Sequence, residues 1–218
     1  MGMTVEIKNI ETAGFKTALR GMRNPKNSWN RGDTNLDRVA TGLGENDKKL
    51  AQMLISGGPP HSKFLRMIYV GFDIICPTYF AAEFDTYKIN TVRNSCSLQH
   101  KGASRDFVIQ DFILDDEGTL SDRDLRIFFE NKLLPVINYL RQKYVETKDY
   151  KYFRQMRQLI PMGYNYRFTW SGNYENLRNM IKWRQAHPLQ EWRDFVEQLH
   201  QLPYADQLLF YDNKPGKE

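Results

Sequence analysis

The sequence is poor in the residues that build covalent staples and metal centres. Its 218 residues hold two cysteines, Cys76 and Cys96. That is too few for a disulfide framework or a four-cysteine zinc site, so a reduced cytosolic protein is the expectation. The four histidines, His61, His100, His187 and His200, contain no pair at i, i+3 or i, i+4 spacing, which excludes a local metal pair on one helix turn. No apolar run reaches the roughly 20 residues that a membrane span needs. The most apolar stretch, Met67 to Ala82, is interrupted by Asp73 and Pro77. The start of the chain, Met1-Gly2-Met3-Thr4-Val5-Glu6, lacks a basic-then-apolar signal pattern. G-x-S-x-G, the P-loop and G-x-G-x-x-G are missing, which sets aside the common hydrolase, nucleoside-triphosphatase and dinucleotide-binding readings.

What is present is globular. Hydrophobic residues make up 41% and charged residues 26%, enough to bury a core and too balanced for general disorder. No internal repeat and no Ser/Gly/Pro linker divides the chain, so a single domain over 1–218 is expected, with a mobile tail at 212–218. The polar run from Asn24 to Gly44, with Pro25, Gly32, Gly42 and Gly44, reads as a long loop, and loops of that length are usually functional or disordered.

Helices dominate the pattern. A short one is expected from about Asn46 to Ser56, stopped by Gly57-Gly58-Pro59-Pro60. The β-branched and aromatic run from Phe64 to Ile75 predicts a strand. Pro77 suits the first turn of a helix over Thr78–Lys88. The longest helix is expected over Asp122–Tyr144, with Ser121 and Asp124 as a capping box and a kink at Pro135. Further helices are expected over Asp149–Leu159, Tyr174–Trp183 and Leu189–Gln201. Strict βαβ alternation is absent, which points to an α+β fold with a central sheet packed by helices.

Charge and aromatic rings are concentrated. Ten Lys or Arg and three acids lie between Arg141 and Arg184, and nine aromatic residues lie between Tyr139 and Trp170. Cations among rings suit a phosphate joined to a flat base, as in a nucleotide, and also suit single-stranded nucleic acid. The competing reading is a solvated helix face with its aromatics in the core. Cys96 has no neighbouring base in sequence and reads as a buried structural thiol.

Two segments carry a resemblance. The first is His61-Ser62-Lys63-Phe64, then Pro77 through Lys88, then Thr91-Val92-Arg93-Asn94-Ser95-Cys96-Ser97. The second is Arg157-Gln158-Leu159-Ile160-Pro161, Phe168-Thr169-Trp170, Asn173 through Asn179, and Lys182-Trp183-Arg184 followed by Gln190. In kind and order these resemble the flavin-dependent thymidylate synthases, over about Glu45 to Leu199. The resemblance implies an α+β homotetramer that binds FAD, with NADPH and methylenetetrahydrofolate as co-substrates, and methylates dUMP or a related pyrimidine nucleotide.

By resemblance Arg184 is the catalytic arginine at the pyrimidine. Arg157, Ser97, Glu83 and Lys88 fall on the substrate side, with Arg157 at the phosphate. Ser62, Asn179, Tyr87 and Asn173 fall on the cofactor side. The family's Arg-His-Arg triplet is replaced by Thr86-Tyr87-Lys88, and Glu175 stands where an arginine helps to hold FAD. Pro188 falls where a flavin-facing histidine is expected, with His187 beside it. These replacements favour an alternative: a nucleotide- or nucleic-acid-binding module on the same scaffold without redox activity.

Overall fold

Alternating burial marks β-structure in part of the sheet, while its most buried strand is apolar nearly throughout. The computed structural model describes residues 4–37, 42–114 and 122–213. Strand β1 is Glu6–Ala13, β2 is Tyr69–Pro77, β3 is Val92–Ser95 and β4 is Asn165–Asn173. They form one four-stranded sheet in the order β1-β2-β4-β3. On β4, Phe168 and Trp170 are buried two residues apart, as a pleated strand requires.

The helices are α1 (Phe15–Arg23), α2 (Glu45–Ser56), α3 (Thr78–Phe84), α4 (Leu98–Lys101), α5 (Asp122–Phe128), α6 (Leu134–Thr147), α7 (Tyr150–Leu159), α8 (Tyr174–Arg184), α9 (Gln190–Gln198) and α10 (Ala205–Leu208). The fold is α+β, as the sequence predicts. The strand expected from Phe64 starts later, at Tyr69, because Ser62–Met67 coils into a 3₁₀ turn that buries the consecutive Phe64 and Leu65. The helix expected to reach Lys88 ends at Phe84. The long helix over Asp122–Tyr144 is broken by a π turn at Phe129–Leu133, and Pro135 then sits in the first turn of α6. Proline has no N–H to give to the previous turn, so a wider turn before it absorbs the lost bond. Ser121, half of the expected capping box, and most of the expected tail lie outside the described residues.

The chain divides into two compact units. The first comprises 1–74, 85–94 and 169–218, and the second 75–84 and 95–168. In the first, Phe72 stacks on Trp170 at 5.0 Å between centroids and leans on Phe195 at 6.1 Å, building a core under the sheet. In the second, Phe107, Phe112, Phe129, Ile137, Phe153 and Met156 form the buried cluster, with α6 packed on α7.

The expected long loop is ordered over 24–37 by one buried ion pair in the first unit. Arg23 and Asp47 are 4% and 2% exposed. Arg23 Nε donates to Asp47 Oδ1 at 2.8 Å, and the second Asp47 oxygen accepts from the backbone of Asp33 and Thr34 and from the Thr34 hydroxyl at 2.7 Å. Arg23 also donates to the carbonyl of Ser28. A buried carboxylate with this many donors is satisfied, and it pins a polar segment that could not order itself by apolar burial.

Candidate active site

Some of the candidate residues come together within each unit, and others stand apart. In the first unit the group centres on Arg184, the last residue of α8. Leu177 and Ile181 anchor that helix in the core, which carries Arg184 inward on the same face. A guanidinium there needs a partner. Its Nε donates to the Tyr87 hydroxyl at 2.9 Å. Its central carbon lies 5.6 Å from the Tyr87 ring centroid and 4.7 Å from that of Trp192, a cation–π arrangement on two rings.

Trp192, fully buried on α9, meets Tyr87 edge-on at 5.8 Å and His187 edge-on at 6.3 Å. His187 Nδ1 accepts from the Leu189 N–H at 3.2 Å, which leaves the ring proton on Nε2 in the neutral form. Lys88 is exposed beside Tyr87.

The other cofactor-side residues of this unit are placed differently. Asn173 is the N-cap of α8. Its Oδ1 accepts from the Asn176 N–H at 3.1 Å, and Asn176 Oδ1 accepts from the Asn173 N–H at 3.0 Å. Asn176 also donates to the carbonyl of Ile89 at 2.9 Å, tying the cap to the segment that bears Tyr87 and Lys88. Asn179 is exposed on α8, and Ser62 is buried at the start of its 3₁₀ turn. Glu175, in the first turn of α8, is ion-paired to the half-exposed Arg66. The acid at this position therefore has its own cation.

In the second unit Ser97 and Arg157 both adjoin α4. Ser97 is the residue before the helix, and its hydroxyl makes no capping bond. Gln99, in the first turn, accepts from Arg157 at 3.2 Å and from the Tyr150 hydroxyl at 3.4 Å. Ser97 lines a cavity of about 230 Å³ whose walls also include Cys96, Ser104, Arg105, Tyr166 and Arg167, and the Cys96 thiol is exposed, where the sequence predicts a buried one. That volume is below the roughly 300 Å³ at which small-molecule pockets begin and suits a small anion or one end of a nucleotide.

Asp111 grips Arg105 with both oxygens on that wall. Burial pushes the Asp111 carboxyl up, but Arg105 and the Val108 N–H outweigh it and hold it below the usual carboxylate range. Burial raises the Tyr164 phenol, which stays neutral. Glu83 lies half-buried on α3. No group of three or more His, Cys, Asp or Glu among the described residues could hold a metal.

Sequence reasoning missed Trp192 and most of the cavity wall, of which it singled out Ser97. Trp192 lies eight residues beyond Arg184 across a helix break, so no periodicity links the two. Arg105 and Arg167 fall outside the segments that carry the resemblance.

The family model for thymidylate synthase complementing protein (Thy1) matches residues 13–204. The chain belongs to this family. No curated protein sequence matches it. Among solved structures it is similar to flavin-dependent thymidylate synthase ThyX from Helicobacter pylori, complexed with FAD and dUMP, with a TM-score of 0.69 at 17% identity over 96% of this chain and 99% of that one. Another structure of that enzyme with FAD and dUMP gives the same score and identity over 96% and 98%. The UMP/dUMP methylase PolB from Streptomyces cacaoi, bound with 5-Br UMP, gives 0.66 at 10% identity over 99% and 98%. At these identities the likeness is one of fold. No described helix is long and apolar enough to cross a membrane.

Proposed function

We propose that this protein is a flavin-dependent thymidylate synthase-like enzyme. It methylates dUMP or a related pyrimidine nucleotide with methylenetetrahydrofolate as the carbon donor and NADPH as the reductant. The observation that carries the reading is Arg184, a cation fixed on two aromatic rings at the end of α8, in a chain whose family match spans residues 13–204. UMP is kept beside dUMP because a methylase that takes either shares the fold.

The residues present fit FAD. Arg66 and the exposed Asn179 amide offer donors suited to a pyrophosphate, and the ion pair with Arg66 offsets the acid at Glu175. Bound FAD supplies the reducing equivalents that bring the transferred carbon to the methyl level. The chain's own residues do the rest. Arg184 places positive charge at the pyrimidine edge, where negative charge grows in the transition state, and so acts more on the rate than on binding. Tyr87 holds Arg184 through Nε. Arg157 and Ser97 receive the nucleotide phosphate, for which a planar guanidinium fork is well matched. Cofactor-side roles for Ser62 and Asn173, substrate-side roles for Glu83 and Lys88, a homotetrameric assembly and a cytoplasmic location belong to the same reading.

The test is purified protein mixed with FAD, NADPH, methylenetetrahydrofolate and either nucleotide. A yellow protein that forms the 5-methyl nucleotide is expected. Colourless protein that rejects FAD yet binds dUMP would overturn the enzyme and favour the binding module, for which the replaced triplet at Thr86-Tyr87-Lys88 speaks.

A further inference from the structure

We infer that Trp192 is a positioning residue for Arg184, and that Trp192 and Tyr87 together form a two-ring seat fixing the guanidinium before the nucleotide arrives. The inference rests on the thymidylate synthase-like reading for its catalytic consequence and on geometry alone for the seat.

An arginine side chain is long and loses much rotamer freedom when it is held still. Here the two restraints act in different directions. The bond from Nε to the Tyr87 hydroxyl at 2.9 Å lies in the guanidinium plane and sets its rotation within that plane. The face of Trp192, 4.7 Å from the central carbon, sets the plane itself. Indole is the strongest aromatic partner for a cation, and burial removes the water that would weaken it.

The seat cannot easily swing, because Trp192 is 0% exposed and is braced edge-on by Phe195 at 88°, by His187 at 70° and by Tyr87 at 69°. Its three parts come from separate stretches: the segment after α3, the end of α8, and α9. A catalytic cation held this way needs little reorganisation at the moment of reaction, which is where electrostatic catalysis gains most.

The experiment compares Trp192→Phe and Trp192→Leu with the unaltered protein. The readouts are kcat, KM for dUMP, FAD content, melting temperature, and the NMR resonance of the Arg184 Nε–H. Trp192→Leu is expected to lower kcat about 10- to 100-fold, the scale of a reacting group displaced by about 1 Å. KM for dUMP and FAD content should stay within about threefold, because uniform binding is untouched. Trp192→Phe, which keeps a ring, should recover most of the rate. The Nε–H resonance should be shifted upfield by the ring and return toward its free value in Trp192→Leu.

A kcat unchanged in Trp192→Leu, a Phe variant as slow as the Leu variant, or an Nε–H resonance indifferent to the substitution would overturn the seat. If Trp192→Leu does not fold, the Phe variant carries the same rate and resonance readouts: a smaller upfield shift with a partial fall in kcat supports the seat, and no change in either overturns it. An unaltered protein that methylates neither dUMP nor UMP would sink the functional reading, and the resonance would still decide the seat.

Discussion

The two arginines proposed to meet the nucleotide are held in opposite ways. Arg184 is half-buried, bonded through Nε to a phenol and laid on a fully buried indole. Arg157 is exposed near the end of α7 and bonded at 3.2 Å to the amide of Gln99, itself on the surface. Ordering a solvent-facing guanidinium costs its rotamer freedom when the ligand binds, whereas Arg184 has already lost that freedom on folding. The contrast teaches where each can act. A prepaid cation can favour the transition state over the ground state, and an adaptable one serves binding. The first unit also invests in a buried ion pair, Arg23 with Asp47, while the second keeps Arg105, 61% exposed in its side chain, on Asp111.

Breaking the buried pair should have the largest effect. Asp47→Ala strands a guanidinium that is 4% exposed and frees the segment over 24–37. A loss of about 3–5 kcal/mol in stability is expected, because one buried charge is left without its partner. For a chain of this size that lowers the melting temperature by on the order of 10 °C, which calorimetry reads directly.

The same carboxylate sets a pH dependence. Burial pushes the Asp47 carboxyl up, but bonds from Thr34, Arg23 and two backbone N–H groups outweigh it and leave it below its ordinary value. Its contribution is therefore fully present above the unfolded value of about 3.9 and disappears as the pH falls through the lower folded value. Asp111 has the same sign, from Arg105 and the Val108 N–H acting against burial. Melting curves taken downward from about pH 4, the unfolded carboxylate value, should show a flatter acid limb in Asp47→Ala than in the unaltered protein.

Arg184→Ala is next. It should cut kcat about 10²- to 10³-fold, the range for removing one donor to a developing negative charge, with FAD content nearly unchanged. Arg184→Lys should restore little, since a point charge cannot reproduce the planar fork that bonds Tyr87 and lies on Trp192. A variant that melts early but turns over normally would reduce Arg184 to a structural cation and dissolve the contrast with Arg157.

Arg157→Ala should weaken dUMP binding by about 1.5–3 kcal/mol, the worth of a hydrogen bond to a charged group, and toward the lower figure because Arg157 is exposed. The effect should appear in KM and in the salt dependence of binding, with kcat little changed. Unaltered affinity would remove Arg157 from the phosphate.

Much of this was legible in the residues. The helices over α2, α7, α8 and α9 follow from apolar spacing, from Pro188 as a start and from Pro161 and Pro203 as stops, and the α+β class follows from their excess over strands. β1 was missed because Asn9 takes a positive φ of 51° inside it and interrupts the alternation that marks a strand. β4 could have been found, since Tyr166, Phe168 and Trp170 alternate at period two, but the same rings also read as a stacking surface. Arg184 was identified from helix spacing together with the family resemblance. Its seat was not, because Tyr87 and Trp192 reach it only through tertiary structure, and no pattern along the chain encodes a contact between α9 and a segment about a hundred residues earlier. Loop 24–37 was recognised as a loop but not as an ordered one, since the pairing of Arg23 with Asp47 spans 24 positions.

The smallest effect tests the cofactor-side assignment of Asn173. Its oxygen already caps α8 through the Asn176 N–H, and the reciprocal bond through Asn176 completes a capping box. Asn173→Ala removes that acceptor and should cost about 1 kcal/mol of stability, the usual worth of such a cap. For a chain of about 200 residues this is a fall of roughly 2–4 °C in melting temperature. Asn173→Asp separates the cap from the cofactor. The carboxylate keeps the acceptor and adds a negative charge at the positive end of the helix dipole, so stability should match or slightly exceed that of the unaltered protein. If Asn173 also faces FAD, the added charge stands near the pyrophosphate, and FAD affinity should fall in Asn173→Asp while stability holds. If the residue only caps, FAD titration gives the same affinity for both proteins, and the influence of Asn173 on the site is confined to Asn176, whose amide holds the Ile89 carbonyl two residues from Tyr87.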